Sequence, residues 1–143
     1  MADLEAIEIF EVTNDNIELM DHVADDLFDN PVVPAKLTAF LAEPTHWMVV
    51  ALLDGQVIGK CTAMVHKRPD KDDELYIDEI DVIENLRRNG IAKKMLAKVL
   101  EMADERGCEE CWLGTEQDNI AARRLYESNG AKAEDFVLYY LEY

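Results

Sequence analysis

The sequence predicts an α/β fold, α+β in character, in which a single mixed sheet carries helices on both faces. Three observations predict it. Two apolar, β-branched runs, His46 to Leu53 and Val57 to Val65, flank Asp54-Gly55, a dipeptide suited to the positive φ angles of a tight hairpin turn. Ile91, Ala92, Met95, Leu96, Val99, Met102 and Ala103 recur with a 3.6-residue period behind a strand-like run, as on an amphipathic helix packed against a sheet. The order of elements, β-α-α-β-β-β-α-β-α-β, mixes a hairpin with strand-helix-strand crossovers. The sheet is therefore expected to be antiparallel in its first half and parallel around the long helix.

In order along the chain, Ile7 to Val12 alternates apolar and acidic residues as a half-buried strand does, and Thr13-Asn14-Asp15 offers capping oxygens to a following helix. Ile17, Met20, Ala24 and Leu27 extend that helix to about Phe28, where Asn30-Pro31 and Pro34 break it. A short second helix spans Ala35 to Ala42, and the hairpin follows. Residues 67–73 form a charged loop, and Leu75 to Ile83 is a strand in which Tyr76 and acidic residues interrupt the apolar ones. The long helix from Ile91 ends near Gly107, a natural residue beyond a helix C-terminus. Cys111 to Thr115 is a short strand, Asn119 to Asn129 a helix closed by Gly130, and Phe136 to Leu141 an aromatic-rich terminal strand.

A chain of 143 residues fits one domain, for which roughly 100–200 residues is usual. The N-terminus has neither basic residues nor an apolar run, and no uncharged stretch approaches the ~18 residues of a membrane span. The expectation is a soluble, cytoplasmic protein. The formal net charge of −17 repels nucleic acid and anionic membranes and attracts cations. Three cysteines are an odd number without an export signal, which argues against a disulfide framework. Cys108-x-x-Cys111 lacks the second pair or spaced histidines of a zinc site, so a structural role is expected and no metal.

A strand that runs into Arg87-Arg88-Asn89-Gly90-Ile91-Ala92 and then directly into a helix gathers unpaired backbone N–H groups and the positive end of the helix dipole at one point. Such a point binds phosphate. Gly90 permits a backbone conformation or close approach that a side chain would block, and Ala92 is small. Arg87, Arg88, Lys93 and Lys94 reverse the local sign of a strongly acidic chain. The Walker and dinucleotide glycine motifs are absent, so ATP and NAD lose support.

With these residues in hand, the chain resembles the GNAT superfamily of N-acetyltransferases, whose [RQ]-x-x-G-x-[GA] hallmark reads R87-x-x-G90-x-A92 here. A second family signature appears as Asn119, Ala122, Tyr126 and Gly130 in NIAARRLYESNG. The resemblance covers residues 7–143, and its ELYIDEIDVIENLRRNGIA stretch looks most like the aminoglycoside 3-N-acetyltransferase branch. It implies acetyl-coenzyme A as acetyl donor. The backbone of Ile80-Asp81-Val82 would pair with the pantetheine arm, Arg87, Arg88, Asn89, Gly90, Ile91, Ala92 and Lys93 would hold the pyrophosphate, and Asn119 would hydrogen-bond the pantetheine region. Tyr126 would protonate the departing sulfur, with Ala122 leaving room for the cofactor.

Acetyl transfer to an amine also needs a neutral amine, so a carboxylate near the acetyl carbon is expected. Glu79 is the candidate base, with Asp81 on the same side at i+2. Asp78 would then share the face of Ile80 and Val82 unless the strand is bulged, a distortion the family places here. Glu134 and Asp135, with Asp70, Asp72, Asp73 and Glu74, could rim an acidic groove for a small cationic amine. An aminoglycoside-like acceptor ranks first, then a polyamine and a peptide amine. A non-catalytic acyl-coenzyme A sensor and a purely structural acidic module are the alternatives. The aromatic tail suggests a homodimer.

Overall fold

The computed structural model describes residues 4–143. Five strands form one sheet in the order β1-β2-β3-β4-β5: β1 (Glu8–Glu11), β2 (His46–Leu53), β3 (Gln56–His66), β4 (Glu74–Val82) and β5 (Glu110–Trp112). The first four pair antiparallel with their neighbours, and β4 pairs parallel with β5. The hairpin turns at Asp54 (φ 50°) and Gly55 (φ 78°), as its sequence requires.

Helices α1 (Pro34–Ala42) and α2 (Ile91–Arg106) cover opposite faces of the sheet, and α3 (Ile120–Ser128) follows β5. On α2, Ile91, Met95, Leu96, Val99, Met102 and Ala103 are buried against Val49, Ala51, Ile58, Cys61, Leu75, Ile77 and Val82. A Cβ on Gly59 would lie 3.0 Å from the Met95 methyl carbon and 3.3 Å from Ala51, so the helix sits this close only over a glycine. The other face buries Val12, Met20, Leu27, Met48, Val50, Leu52 and Val57, with Leu37, Phe40 and Leu41 of α1 packed on them. Truncating a fully buried side chain such as Met95 to alanine is expected to cost about 2–5 kcal/mol. Among the described residues no helix is long and apolar enough to cross a membrane.

Two sequence expectations need correction. The helix expected to reach Phe28 is a 3-10 segment, Asn14–Asp21, broken at Asn16 (φ −131°). The Asn16 carboxamide accepts from the Thr13 N–H at 2.7 Å and donates to the Glu11 carbonyl at 2.9 Å, which holds its backbone out of the helical well. Beyond it the chain is drawn onto β3: Val57 N–H donates to His22 O at 2.8 Å and Ala24 N–H to Val57 O at 2.9 Å. Competing strand-like bonds thus end the helix before Phe28.

The terminal strand expected at Phe136 to Leu141 does not form within the chain; residues 131–143 carry no regular structure and are exposed. The edge available to it, β5, is three residues long.

Candidate functional site

Strand β4 carries the acids that the sequence singles out, and a bulge decides where they point. Thr62 pairs with Glu79 and Ala63 with Ile77, so Asp78 is an extra residue opposite no partner. Before it, Leu75 and Ile77 enter the core beneath α2; after it, Ile80 and Val82 do. The inserted residue reverses the parity and leaves Glu79 and Asp81 on the opposite face, with Asp78 exposed.

Glu79 lines a cleft of about 430 Å³ between this face and α1, together with Phe28, Asp29, Lys36, Phe40, Lys60 and Thr62. Its floor holds a cation that sequence reasoning missed. The Lys60 side chain is 3% exposed and its ammonium donates to Glu79 Oε2 at 2.6 Å, stands 3.9 Å from Asp81 Oδ2 and lies 4.1 Å from the centre of the Phe28 ring. The signal was one lysine inside the otherwise apolar run Val57 to Val65. Beside it the Thr62 hydroxyl is buried with no hydrogen-bond partner among the described residues. Burial raises the Asp81 carboxyl above its usual range, against the lowering influence of Lys60, and Glu79 adds to the rise.

Past Val82 the chain makes a 3-10 turn, Glu84–Leu86, and enters α2 through Arg87 to Gly90. Arg87 Nε donates to the Val82 carbonyl at 2.9 Å, and the Asn89 carboxamide donates to the carbonyls of Leu86 at 3.0 Å and Arg87 at 3.1 Å. These bonds set the turn. Arg88 (φ 68°) and Gly90 (φ 78°) are left-handed, and Gly90 is the residue before the first helical turn. No side chain caps the helix there, and the ladder begins with Lys94 N–H to Gly90 O at 3.2 Å. The N–H groups of Ile91, Ala92 and Lys93 therefore open outward. A Cβ on Gly90 would meet nothing within 4 Å, so this glycine serves the backbone angle and leaves open space. An uncapped helix start with two flanking arginines fits the pyrophosphate of a coenzyme A.

Tyr126, on α3, is half-buried against the core and lines a second cleft of about 300 Å³ with Gly114, Gln117, Glu134, Asp135 and Phe136. Burial chiefly, then Cys61 and Asp81, raises its phenol above the usual tyrosine range, so it holds its proton. Ala122 lies one helical turn before it. The Asn119 carboxamide oxygen accepts from Ala122 N–H at 3.1 Å and caps α3, which commits that oxygen to the fold.

The acids expected to rim one groove are dispersed. Glu134 and Asp135 lie in the Tyr126 cleft, apart from Glu79, and Asp135 accepts from Gln117 Nε2 at 3.5 Å. Glu74 is buried between Arg68 (3.6 Å) and Lys71 (3.2 Å), while Asp73 faces Arg106 (3.5 Å) and Lys67 (4.0 Å). These pairs bind the loop before β4 to the body and correct the groove drawn from sequence. Burial pushes the Cys61 thiol up to about 12 and Cys111 up to about 11, and raises Cys108; such thiols are poor nucleophiles.

Residues 7–131 match the model of the acetyltransferase (GNAT) family. Among curated proteins, the chain is 35% identical over 91 residues to N-acetylaspartate synthetase of Homo sapiens, covering 64% of this chain and 29% of that protein. It is 24% identical over 95 residues to aminoglycoside N(6′)-acetyltransferase type 1 of Salmonella typhimurium, covering 64% and 66%. The chain spans 29% to 38% of the length of the N-acetylaspartate synthetases it matches. Among solved structures, an aminoglycoside acetyltransferase from an uncultured soil metagenomic sample, in complex with trehalose, aligns with a TM-score of 0.79 at 23% identity over 98% of this chain and 97% of that one. AAC(6′)-Iy in complex with a bisubstrate analogue aligns with a TM-score of 0.77 at 20% identity over 96% and 98%. Both share the fold.

Proposed function

Because the chain belongs to the GNAT acetyltransferase family, we propose that it moves the acetyl group of acetyl-coenzyme A to a primary amine of a small cationic molecule, an aminoglycoside-like acceptor first. The observation that carries the reading is one continuous segment. The bulge at Asp78 turns Glu79 into a cleft with Asp81 on the same face of the strand, and eight residues after Val82 the same chain opens the uncapped N-terminus of α2 at Gly90.

In this reading Arg87, Arg88 and the N–H groups of Ile91, Ala92 and Lys93, with Asn89 and Gly90 shaping the turn, hold the pyrophosphate. The backbone of Ile80, Asp81 and Val82 takes the pantetheine arm, Asn119 offers its amide N–H groups to the same arm, and Ala122 leaves it room. Bound acetyl-coenzyme A supplies an acyl group activated as a thioester. Glu79 and Asp81 attract the acceptor's ammonium and take its proton, the raised carboxyl of Asp81 bringing that group nearer to neutral pH. Tyr126 holds a proton on its hydroxyl for the leaving side. Glu134 and Asp135 hold a second cationic group of an extended acceptor. No metal has a part in this scheme. The aminoglycoside enzymes whose position is named are 6′ enzymes, which gives the 3-N branch no support. A cytoplasmic setting and a homodimer belong to the same reading, and nucleic acid and anionic membranes are poor partners for a charge of −17.

Lys60 favours a second reading. A buried ammonium on the cleft floor, with Lys36 on its wall, suits an acceptor that carries a carboxylate beside its amine, such as an amino acid. Release of coenzyme A thiol, followed with aminoglycosides, polyamines and amino acids, separates the two. Turnover is expected on one class, and Tyr126→Phe should slow it by about 10²–10⁴-fold while acetyl-coenzyme A still binds. Because the Tyr126 phenol is raised, the alkaline fall in rate should come above the ordinary tyrosine range. Turnover on no amine, with acetyl-coenzyme A bound, would favour a sensor.

A further inference from the structure

The cleft floor holds a primary amine beside a base. Lys60 Nζ stands 2.6 Å from Glu79 Oε2 and 3.9 Å from Asp81 Oδ2. An amine and a carboxylate at the first distance are the two groups that N-acetylation needs on the acceptor side, close enough for direct proton transfer. The sheet fixes both. Lys60 faces Asp81 across β3 and β4, and Glu79 follows the bulge, opposite Thr62. The Phe28 ring lies 4.1 Å from the ammonium and covers another side of it. The Lys60 side chain is 3% exposed yet lines the cleft of about 430 Å³, so it faces what enters the cleft rather than bulk water.

The donor side adjoins it. The backbone of Ile80, Asp81 and Val82, assigned above to the pantetheine arm, includes the residue directly across the ladder from Lys60. Asp81 is also near enough to Tyr126 for its charge to raise the phenol. One residue thus neighbours both the buried amine and the proposed proton donor.

We infer that Lys60 is itself an acceptor: with no free amine in the cleft, the protein acetylates its own Lys60 Nζ, once per chain, from acetyl-coenzyme A. The inference rests on the transferase reading above. Glu79 takes one proton from the ammonium, the nitrogen lone pair forms the N–C bond to the acetyl carbon, and the C–S bond breaks with its electron pair left on sulfur. Sulfur takes a proton from Tyr126. The nitrogen gives up its second proton to solvent, from which Tyr126 is restored, and Glu79 returns its proton to water. Nothing is oxidised or reduced: one thioester and one ammonium become one N-acetyl-lysine, one thiol and one proton. The product is neutral, which removes the buried charge and leaves the Glu79 carboxylate for an arriving cation.

The site and simple collision select different lysines. Lys36, Lys67, Lys93 and Lys94 are exposed, so uncatalysed acetylation in solution takes them ahead of Lys60, whereas the site takes Lys60 ahead of them. The full chain is incubated with acetyl-coenzyme A in an amine-free buffer and followed by intact mass and peptide mapping, with thermal stability measured in parallel. One acetyl group per chain is expected, on Lys60, and Tyr126→Phe should slow its uptake by about 10²–10⁴-fold while acetyl-coenzyme A still stabilises the fold. Lys60→Arg should take up none; should that variant not fold, the wild-type map decides. Turnover of a free amine with Lys60 left unmodified overturns self-acetylation and leaves the transferase reading standing. No stabilisation by acetyl-coenzyme A overturns both. Acetyl on the exposed lysines ahead of Lys60, or uptake at Lys60 unchanged in Tyr126→Phe, overturns self-acetylation as well.

Discussion

Replacing either partner of the Lys60–Glu79 pair should have unequal consequences, because the two are buried unequally. The Lys60 side chain is 3% exposed and that of Glu79 41%. Glu79→Leu leaves an ammonium on the cleft floor without its 2.6 Å acceptor. Orphaning a buried charge costs about 3–5 kcal/mol; Asp81, 3.9 Å away, remains as a partner and keeps the loss near about 3 kcal/mol. At about 3–4 °C per kcal/mol for a chain of this size, the melting temperature should fall by roughly 10 °C. Lys60→Met keeps an apolar side chain of similar length, removes the buried charge and leaves Glu79 able to meet water, so its cost should stay within about 1 kcal/mol. The double variant should melt near the wild type. Calorimetry and urea unfolding of the four proteins measure this. Equal losses for the two single variants, or a larger one for Lys60→Met, would show that the buried ammonium is not the costly member. The same variants report on the acceptor: Lys60→Met should lower KM for a cationic amine by freeing Glu79, and raise it for an acceptor bound through a carboxylate.

Two further outcomes follow from the backbone and the thiols. Gly90→Ala puts a Cβ at φ 78° in open space, so its cost is conformational, about 1–2 kcal/mol; acetyl-coenzyme A should raise the melting temperature of the wild type and raise that of Gly90→Val far less, and equal stabilisation would remove the turn from the cofactor site. With the Cys61 thiol pushed up to about 12 and that of Cys111 to about 11, an aromatic disulfide reagent at pH 8 should label Cys108 first and the other two only in denaturant. Both groups are raised above an unfolded value of about 8.5, so their contribution to stability is complete below that pH and is lost as pH rises through the folded values; rapid native labelling of Cys61 would contradict the burial.

What could be read from the letters is the part governed by local rules. Asp54-Gly55 specifies its hairpin, the period from Ile91 specifies α2, and Gly90 and Gly107 mark its ends, since each depends on neighbours in sequence. The helix carried on to Phe28 failed because the bond between Val57 and His22 joins residues 35 apart, and no window along the chain contains that competitor. Lys60 was overlooked for the same reason: its meaning lies in Glu79 and Asp81 of β4 and in Phe28, all far from it in sequence. The terminal strand shows the opposite failure. Phe136 to Leu141 has the composition of a strand, but a strand exists only where an edge receives it. Among the site residues, Arg87 to Lys93 and Tyr126 could be singled out because they sit in compact motifs, whereas the grouping of Glu134 and Asp135 with Glu79 required knowing which cleft each one lines.

The extra residue at Asp78 separates two demands on one strand. Upstream of it, odd-numbered positions must stay apolar to pack beneath α2; downstream, positions 79 and 81 are released from that duty while 80 and 82 assume it. A change at 79 or 81 therefore alters what the cleft attracts without touching the layer that holds the helix, and the helix in turn keeps the turn at Gly90 in place. In the proposed reading, the anion end and the amine end of the site can be retuned one at a time, each on its own side of a single inserted aspartate.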